Sequence, residues 1–339
     1  MTKKVCISGY YGFDNFGDET ILKLLIENLK QNKNVNEITV FSVNPLKTAK
    51  KLDVNSFYTF NPFSVAVSIL KTDYLISGGG SLLQDVTSAK SLIYYLAVIF
   101  TAWLSGKKII IFAQGIGPIK NILLKQITMF FLKRAVYISV RDENSLKLLG
   151  ENNIKNVQLC FDPVWNIEAV PFSDRRGIGI QLRDYPVITN DFLEKTALNI
   201  NKYYSDKKIF ILSLQNNLDL EVCNKMKSAL LKVNDKLKIK VIENTDNEKV
   251  IKDICSLEAL IAMRYHACLT AIKAGVKVLP VNYDIKVETL IKDFNLTHIN
   301  SKDDIDSAFS EFINKNIIYD KTKINERKFN FNELNAVIN

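Results

Sequence analysis

The chain has 339 residues, 47% of them hydrophobic and 24% charged, which is enough for two ordinary domains, each with its own core. A formal net charge of +9 suits nucleic acid, an acidic membrane face or anionic metabolites. Many of the lysines fall on predicted outer helix faces or in a polar tail, so charge selects none of these partners. Five cysteines lack C-x-x-C spacing, and His266 and His298 belong to no ligand-spaced cluster; this speaks for reduced, buried thiols in a cytosolic protein and against a metal site.

In chain order, a strand at 4–8 begins almost at once, with no signal-peptide core before it. The loop at 9–18 carries glycines at 9, 12 and 17, not in G-x-G-x-x-G, so a dinucleotide fingerprint is absent. Those glycines still allow a ligand close to the backbone. Tyr11, Asp14, Asn15, Asp18 and Glu19, just ahead of and at the start of a periodic helix at 19–29, are candidates for sugar-hydroxyl or proton contacts; turn and helix-start roles compete.

Strands follow at 38–43 and 73–77, the latter ending in Gly78-Gly79-Gly80, where a ligand or another loop can approach. Gln84 and Asp85 are polar where that loop meets the next helix. The most apolar run, 92–104, is too short to span a bilayer and reads as a buried or interfacial helix. A strand at 108–113 runs into Gln114-Gly115-Ile116-Gly117-Pro118. Another at 135–140 ends at Arg141, for which a salt bridge to Asp142 or Glu143 competes with ligand binding. A last strand at 157–160 leads to Asp162-Pro163-Val164-Trp165, and the polar stretch 166–176 looks like a linker.

The second half repeats the alternation, with strands at 177–182, 208–214, 239–242, 257–262 and 276–281 and helices between them. Two βα arrays imply an α/β protein of two Rossmann-like domains facing a cleft: 1–168, 174–315, and a tail or helix at 316–339. Within the second array the stretch 257–287 stands out. Arg264 and His266 follow an apolar strand, two residues apart, so in extended backbone they point the same way, with a helix at 267–275 beginning behind them. Such a convergence suits an anionic substrate. The competing reading pairs Arg264 with an acid and makes His266 a cap.

Eight segments, taken together and in order, resemble the polysaccharide pyruvyl transferase family. They are GYYGFDNFGDE at 9–19, DYLISGGGSLLQDVTS at 73–88, AQGIGP at 113–118, SVRDENS at 139–145, DPVW at 162–165, GIQLRDYP at 179–186, MRYHA at 263–267 and VNYDIKV at 281–287. The match is closest to the branch acting on lipid-linked precursors of secondary cell-wall polymers. Two departures stand out. The family's arginine-leucine-histidine is Arg264-Tyr265-His266 here, and SLQNNLD at 213–219 lacks the expected proline-containing strand end, which puts the acceptor contacts of that loop in question.

The resemblance implies a GT-B-like fold and transfer of a pyruvyl group from phosphoenolpyruvate to a sugar, with no cofactor and no metal. It implies donor contacts from Arg264, Arg141, Arg183, Lys286 and His266, with the Arg264-Tyr265-His266 donor site in the second domain, and an acceptor side of Tyr11, Asn15, Glu19, Gly79, Gly80, Gln84 and Asp85. His266, Asp14 and Asp18 are the proton-transfer candidates. The acceptor implied is a lipid-diphosphate-linked oligosaccharide, met by a cytoplasmic protein in peripheral contact with the inner membrane face, toward surface-layer anchoring. The alternative is a GT-B glycosyltransferase using a nucleotide sugar, with Asp284 or Glu288 toward the nucleotide. Nucleic acid is not expected, because the aromatics do not interleave with lysine runs.

Overall fold

The strands pair in parallel, and parallel neighbours need a crossover connection, here mostly supplied by helices. The computed structural model describes every residue but Met1, Thr87, Val170, Pro171 and Thr245. One residue of the 73–88 segment and two of the 166–176 linker therefore lie outside the described residues. The chain forms two units: unit 1 is Met1–Asn166 with Arg327–Asn339, and unit 2 is Ile167–Glu326.

Unit 1 has seven strands: β1 (Lys3–Ser8), β2 (Val35–Ser42), β3 (Asn55–Tyr58), β4 (Tyr74–Ser77), β5 (Lys108–Gln114), β6 (Tyr137–Val140) and β7 (Gln158–Leu159). Their order in the sheet is β3-β2-β1-β4-β5-β6-β7. The helices are α1 (Phe16–Gln31), α2 (Pro45–Leu52), α3 (Pro62–Leu70), α4 (Ala89–Leu104), α5 (Ile122–Leu132) and α6 (Glu143–Glu151). Strand β3, α2 and α3 are additions to the sequence reading. The edge strand is short and exposed, so it shows no apolar alternation. Helices α2 and α3 each announce themselves by an asparagine cap, Asn44 or Asn61, followed by proline.

Unit 2 has β8 (Ile178–Gln181), β9 (Lys208–Ser213), β10 (Lys238–Glu243), β11 (Ala259–Ala262) and β12 (Lys277–Pro280), in the order β10-β9-β8-β11-β12. Helices α7 (Asn190–Tyr204), α8 (Asn216–Val233), α9 (Asn247–Cys255), α10 (Tyr265–Lys273), α11 (Ile285–Phe294), α12 (Ile305–Asn314) and α13 (Lys321–Glu326) complete it. Each sheet has its own closed hydrophobic core. In each, the strand order reverses beside the first strand, between β1 and β4 and between β8 and β11. Ligands of open parallel sheets bind beyond the carboxyl ends of strands at that reversal.

The C-terminal segment is shared. Tyr319 belongs to unit 2, where its hydroxyl accepts the Val278 N–H and donates to the Val276 carbonyl, both at 3.1 Å. Beyond Arg327 the chain joins unit 1. Phe329 and Phe331 pack on Phe112, and Tyr74 donates to the Val337 carbonyl at 2.9 Å, in the last helix, α14 (Asn332–Ile338).

Candidate active site

At the reversal of unit 2, β11 is buried along its whole length and the chain leaves it through Met263 and Arg264. Arg264 is the N-cap residue of α10, in extended backbone, and its N–H donates to Oε1 of Gln181 at 2.7 Å. Gln181 is fully buried at the end of β8, so the two strands that flank the reversal are tied together just below the site. The guanidinium makes a two-pronged pair with Asp219: Nε to Oδ2 at 2.9 Å and Nη2 to Oδ1 at 2.6 Å. Nη2 also reaches Gln215 Oε1 at 3.3 Å. Asp219 has no exposure and accepts two further N–H bonds, from Leu214 and Gln215.

The acid pairing weighed for Arg264 is therefore real, and it comes from α8. A charge-assisted, bidentate pair in a dry setting fixes the guanidinium in one orientation. Its side chain is 12% exposed. The segment at 213–219, whose departure from the family pattern put its acceptor contacts in question, supplies both side chains that hold the guanidinium of Arg264. Asp219, Gln215 and Gln181 were not among the candidates. Gln181 lay inside a quoted motif, but nothing local in the sequence marks Asp219 as the partner of a residue 45 positions away.

His266 corrects the spacing argument. The helix starts at Tyr265, two residues earlier than expected, so His266 sits in the first turn of α10 rather than on a strand. Successive helical residues turn by about 100°, and alternation no longer places His266 beside Arg264. Nor is it the N-cap residue: that position is Arg264, whose side chain makes no cap bond, and His266 lies inside α10. His266 is half-buried, its ring edge-on to Tyr265 at 5.1 Å.

Arg183 follows β8. Its guanidinium lies 5.7 Å from the Tyr283 ring and 6.0 Å from that of Tyr185, and these two rings meet edge to face at 5.1 Å. Nε of Arg183 is buried without a hydrogen-bond partner. Burial, reinforced by Asp284, pushes the Tyr283 phenol up to about 12; Arg183 and Arg264 act in the opposite sense. Lys286 stands in the first turn of α11, whose N-cap is Asp284, with Oδ1 accepting from Lys286 and Val287 at 3.0 and 2.9 Å. Asp284 is thus a capping residue and Glu288 pairs with Lys292 at 2.5 Å, so both acids considered for a nucleotide have partners within α11. The carboxyl ends of β8, β11 and β12 therefore carry Arg183, Arg264, His266, Lys286 and two helix N-termini, an arrangement suited to an anion.

In unit 1 the acceptor candidates take varied positions. Tyr11 is fully buried; a Cβ at Gly78 would stand 1.8 Å from its hydroxyl, so Tyr11 requires glycine there. Gly79 is pressed on Ile21 in the same way. Gly80 adopts φ +110, with Asp18 Oδ1 2.7 Å from the place of its missing Cβ. Asn15 caps α1 by accepting from Gly17 and Asp18. Asp14, in left-handed backbone, pairs with Lys47 at 2.6 Å. Gln84 accepts the Val86 N–H at 2.7 Å, and Asp85 accepts those of Lys120 and Asn121, which hold its carboxyl below the usual range. These contacts show Tyr11, Asn15 and Asp85 helping to build the loops at the strand ends.

Glu19 differs. Burial pushes its carboxyl up to about 7, although it accepts the Gly12 N–H at 2.6 Å. Arg141, for which a salt bridge to Asp142 or Glu143 competed with ligand binding, pairs with Asp162 at 2.5 Å and donates to Ser81 Oγ, joining the loops after β4, β6 and β7. Its side chain is 6% exposed and belongs to unit 1, whereas the other donor candidates lie in unit 2. Asp142 caps α6. All five cysteines are free, and among the described residues no group of His, Cys, Asp and Glu could hold a metal ion.

The family model described as polysaccharide pyruvyl transferase matches residues 15–285. No curated protein matches the chain in sequence. Among solved structures, UDP-GlcNAc 2-epimerase from Methanocaldococcus jannaschii is similar with a TM-score of 0.66 at 13% identity, covering 97% of either chain. The S. aureus MnaA-UDP co-structure gives 0.65 at 12%, covering 97% of this chain and 92% of that one. Acinetobacter baumannii MurG gives 0.52 at 11%, covering 99% of each. These likenesses carry the fold, which is of GT-B type.

Proposed function

Because the chain belongs to the polysaccharide pyruvyl transferase family, we propose that it forms a pyruvate ketal on a sugar of a lipid-diphosphate-linked cell-wall or surface glycan precursor, with phosphoenolpyruvate as donor and phosphate as leaving group. The observation that carries this reading is Arg264, locked by Asp219 and Gln181 at the mouth of unit 2 beside the N-terminus of α10. A guanidinium held rigidly before any ligand arrives binds a carboxylate or phosphate without a further ordering cost.

The reaction protonates the donor's methylene carbon to a methyl group while two sugar hydroxyls add to C2 and the C2–O bond to phosphate breaks. Of the two hydroxyl protons, one balances the proton given to carbon and the other leaves with phosphate. His266 is the proton donor in this reading, histidine being the side chain most often used as a general acid. Arg264, Arg183 and Lys286 hold the donor's charges, and the unpartnered Nε of Arg183 is a donor suited to that task. The acceptor is assigned to unit 1, with Asp18 and Glu19 toward its hydroxyls; a carboxyl with a pKa of about 7 can hold or release a proton there. The protein works in the cytoplasm, visiting the inner membrane face where such acceptors reside.

Incubation with phosphoenolpyruvate and a panel of lipid-linked disaccharides tests this directly. Phosphate release that depends on one acceptor, with a ketal methyl signal in the product, is the expected result. Release of a nucleoside diphosphate from a nucleotide sugar, with phosphoenolpyruvate inert, would replace this reading.

A further inference from the structure

One face of unit 1 takes no part in the chemistry above. Helix α4 packs Leu92, Leu96 and Ile99 into the core, yet Ile93, Ala97, Phe100 and Leu104 on its other side are exposed. Steps of four, three and four residues align them in one row along the helix. On the neighbouring α5, Phe130 continues the row, meeting Trp103 edge to face at 5.6 Å. Ile122 at the start of α5 and Phe63 at the start of α3 are 75% and 77% exposed. A helix that is apolar all round belongs in a core or against a partner, and this one has its second face open.

Charge identifies the partner. Helices α3, α4 and α5 contain no Asp or Glu. From Val54 to Val140 the chain has eight Lys and Arg against two acids, a net of +6 out of the chain's +9. Both acids bind backbone amides: Asp73 accepts from Lys4, and Asp85 from Lys120 and Asn121. Lys90 and Lys133 stand exposed at the two ends of the row, and Arg134 lies over the Phe130 ring at 3.4 Å.

We infer that this face rests on an anionic lipid bilayer, with the apolar row sunk into the headgroup boundary and the basic residues among lipid phosphates. No helix among the described residues is long and apolar enough to cross a membrane, so the contact is interfacial. A second copy docked by the same face would set two acid-free basic rims against each other, whereas anionic lipid complements them. Helices α4 and α5 begin at the loop end of the sheet, so the face reaches the loops to which the acceptor is assigned. That last link rests on the proposed function; the bilayer contact does not.

Sedimentation with phosphatidylcholine vesicles, with and without phosphatidylglycerol, tests the contact without turnover. Binding is expected only with phosphatidylglycerol and should fall with salt. Lys90→Gln and Lys133→Gln should each weaken it about fivefold, and Ile93→Ser with Leu104→Ser about tenfold or more, all without a lower melting temperature. Equal binding to vesicles lacking phosphatidylglycerol, no binding to either, or a dimer dispersed by Leu104→Ser would each overturn the inference. Phosphate release on a soluble acceptor reports the chemistry separately: if it is absent while vesicle binding persists, only the proposed reaction fails.

Discussion

Replacing Asp219 by asparagine probes the support of Arg264 rather than Arg264 itself. The side chain keeps its shape and can still accept the Leu214 and Gln215 N–H bonds, but it loses the charge opposite a guanidinium that is 12% exposed. Its amide would also turn a donor toward a donor. Removing one partner of a buried pair costs about 3–5 kcal/mol. For a unit spanning Ile167–Glu326, each kcal/mol moves the melting point by about 2–4 °C, so a fall of roughly 6–20 °C is expected. Phosphoenolpyruvate binding should weaken about tenfold or more, because the freed guanidinium no longer waits in one orientation. The paired change Asp219→Asn with Arg264→Met leaves no buried charge, keeps an acceptor for the Leu214 and Gln215 N–H groups, and should recover most of the lost stability without recovering binding. Thermal unfolding and titration calorimetry read the two effects apart. Wild-type melting together with wild-type affinity in Asp219→Asn would refute the argument that Asp219 holds Arg264 for the donor.

Three further changes address single residues. His266→Ala and His266→Gln should both lower kcat by about 100- to 10,000-fold with little change in melting, because His266 is half-buried within the first turn of α10 and is not its N-cap residue; near-normal turnover in either variant sinks the proton-transfer role. Glu19 has its carboxyl raised from 4.5 to about 7, so the folded state binds the extra proton between those values and stability falls as pH rises through them. Glu19→Gln should thus gain up to about 3 kcal/mol over the wild type near pH 8 and little near pH 4, and a difference in unfolding energy that stays flat with pH would contradict that burial. The Tyr11 hydroxyl is buried without a hydrogen-bond partner, so Tyr11→Phe should stabilise unit 1 by about 1 kcal/mol; a lower melting point would mean the hydroxyl is satisfied after all.

Much of the architecture was legible because it is written locally. Short apolar runs separated by amphipathic helices specify parallel sheets, and loops rich in glycine and polar residues mark the strand ends where ligands bind. The GT-B-type fold and the polar segment around Arg264 followed from that pattern and from the ordered motifs. What misled was also local. Placing the start of α10 two residues late made strand alternation seem to govern Arg264 and His266, because the helix there opens on Arg264 without a side-chain cap that would announce it. The backbone amides that Asp85 and Asn15 accept were not legible either, because a polar loop residue looks the same in sequence whichever amide it meets.

The sequence by itself determined which segments could be strands, which residues could carry charge to their ends, and the family to which they add up. Only the tertiary structure decided the partners. Asp219 meets Arg264 across 45 residues, Asp162 meets Arg141 across 21, and Gly78 is glycine because Tyr11 lies over it. The physical reason is that a buried charge or a missing Cβ is accounted for by whatever packing brings alongside, and packing partners are set by the order of strands in the sheet rather than by order in the chain.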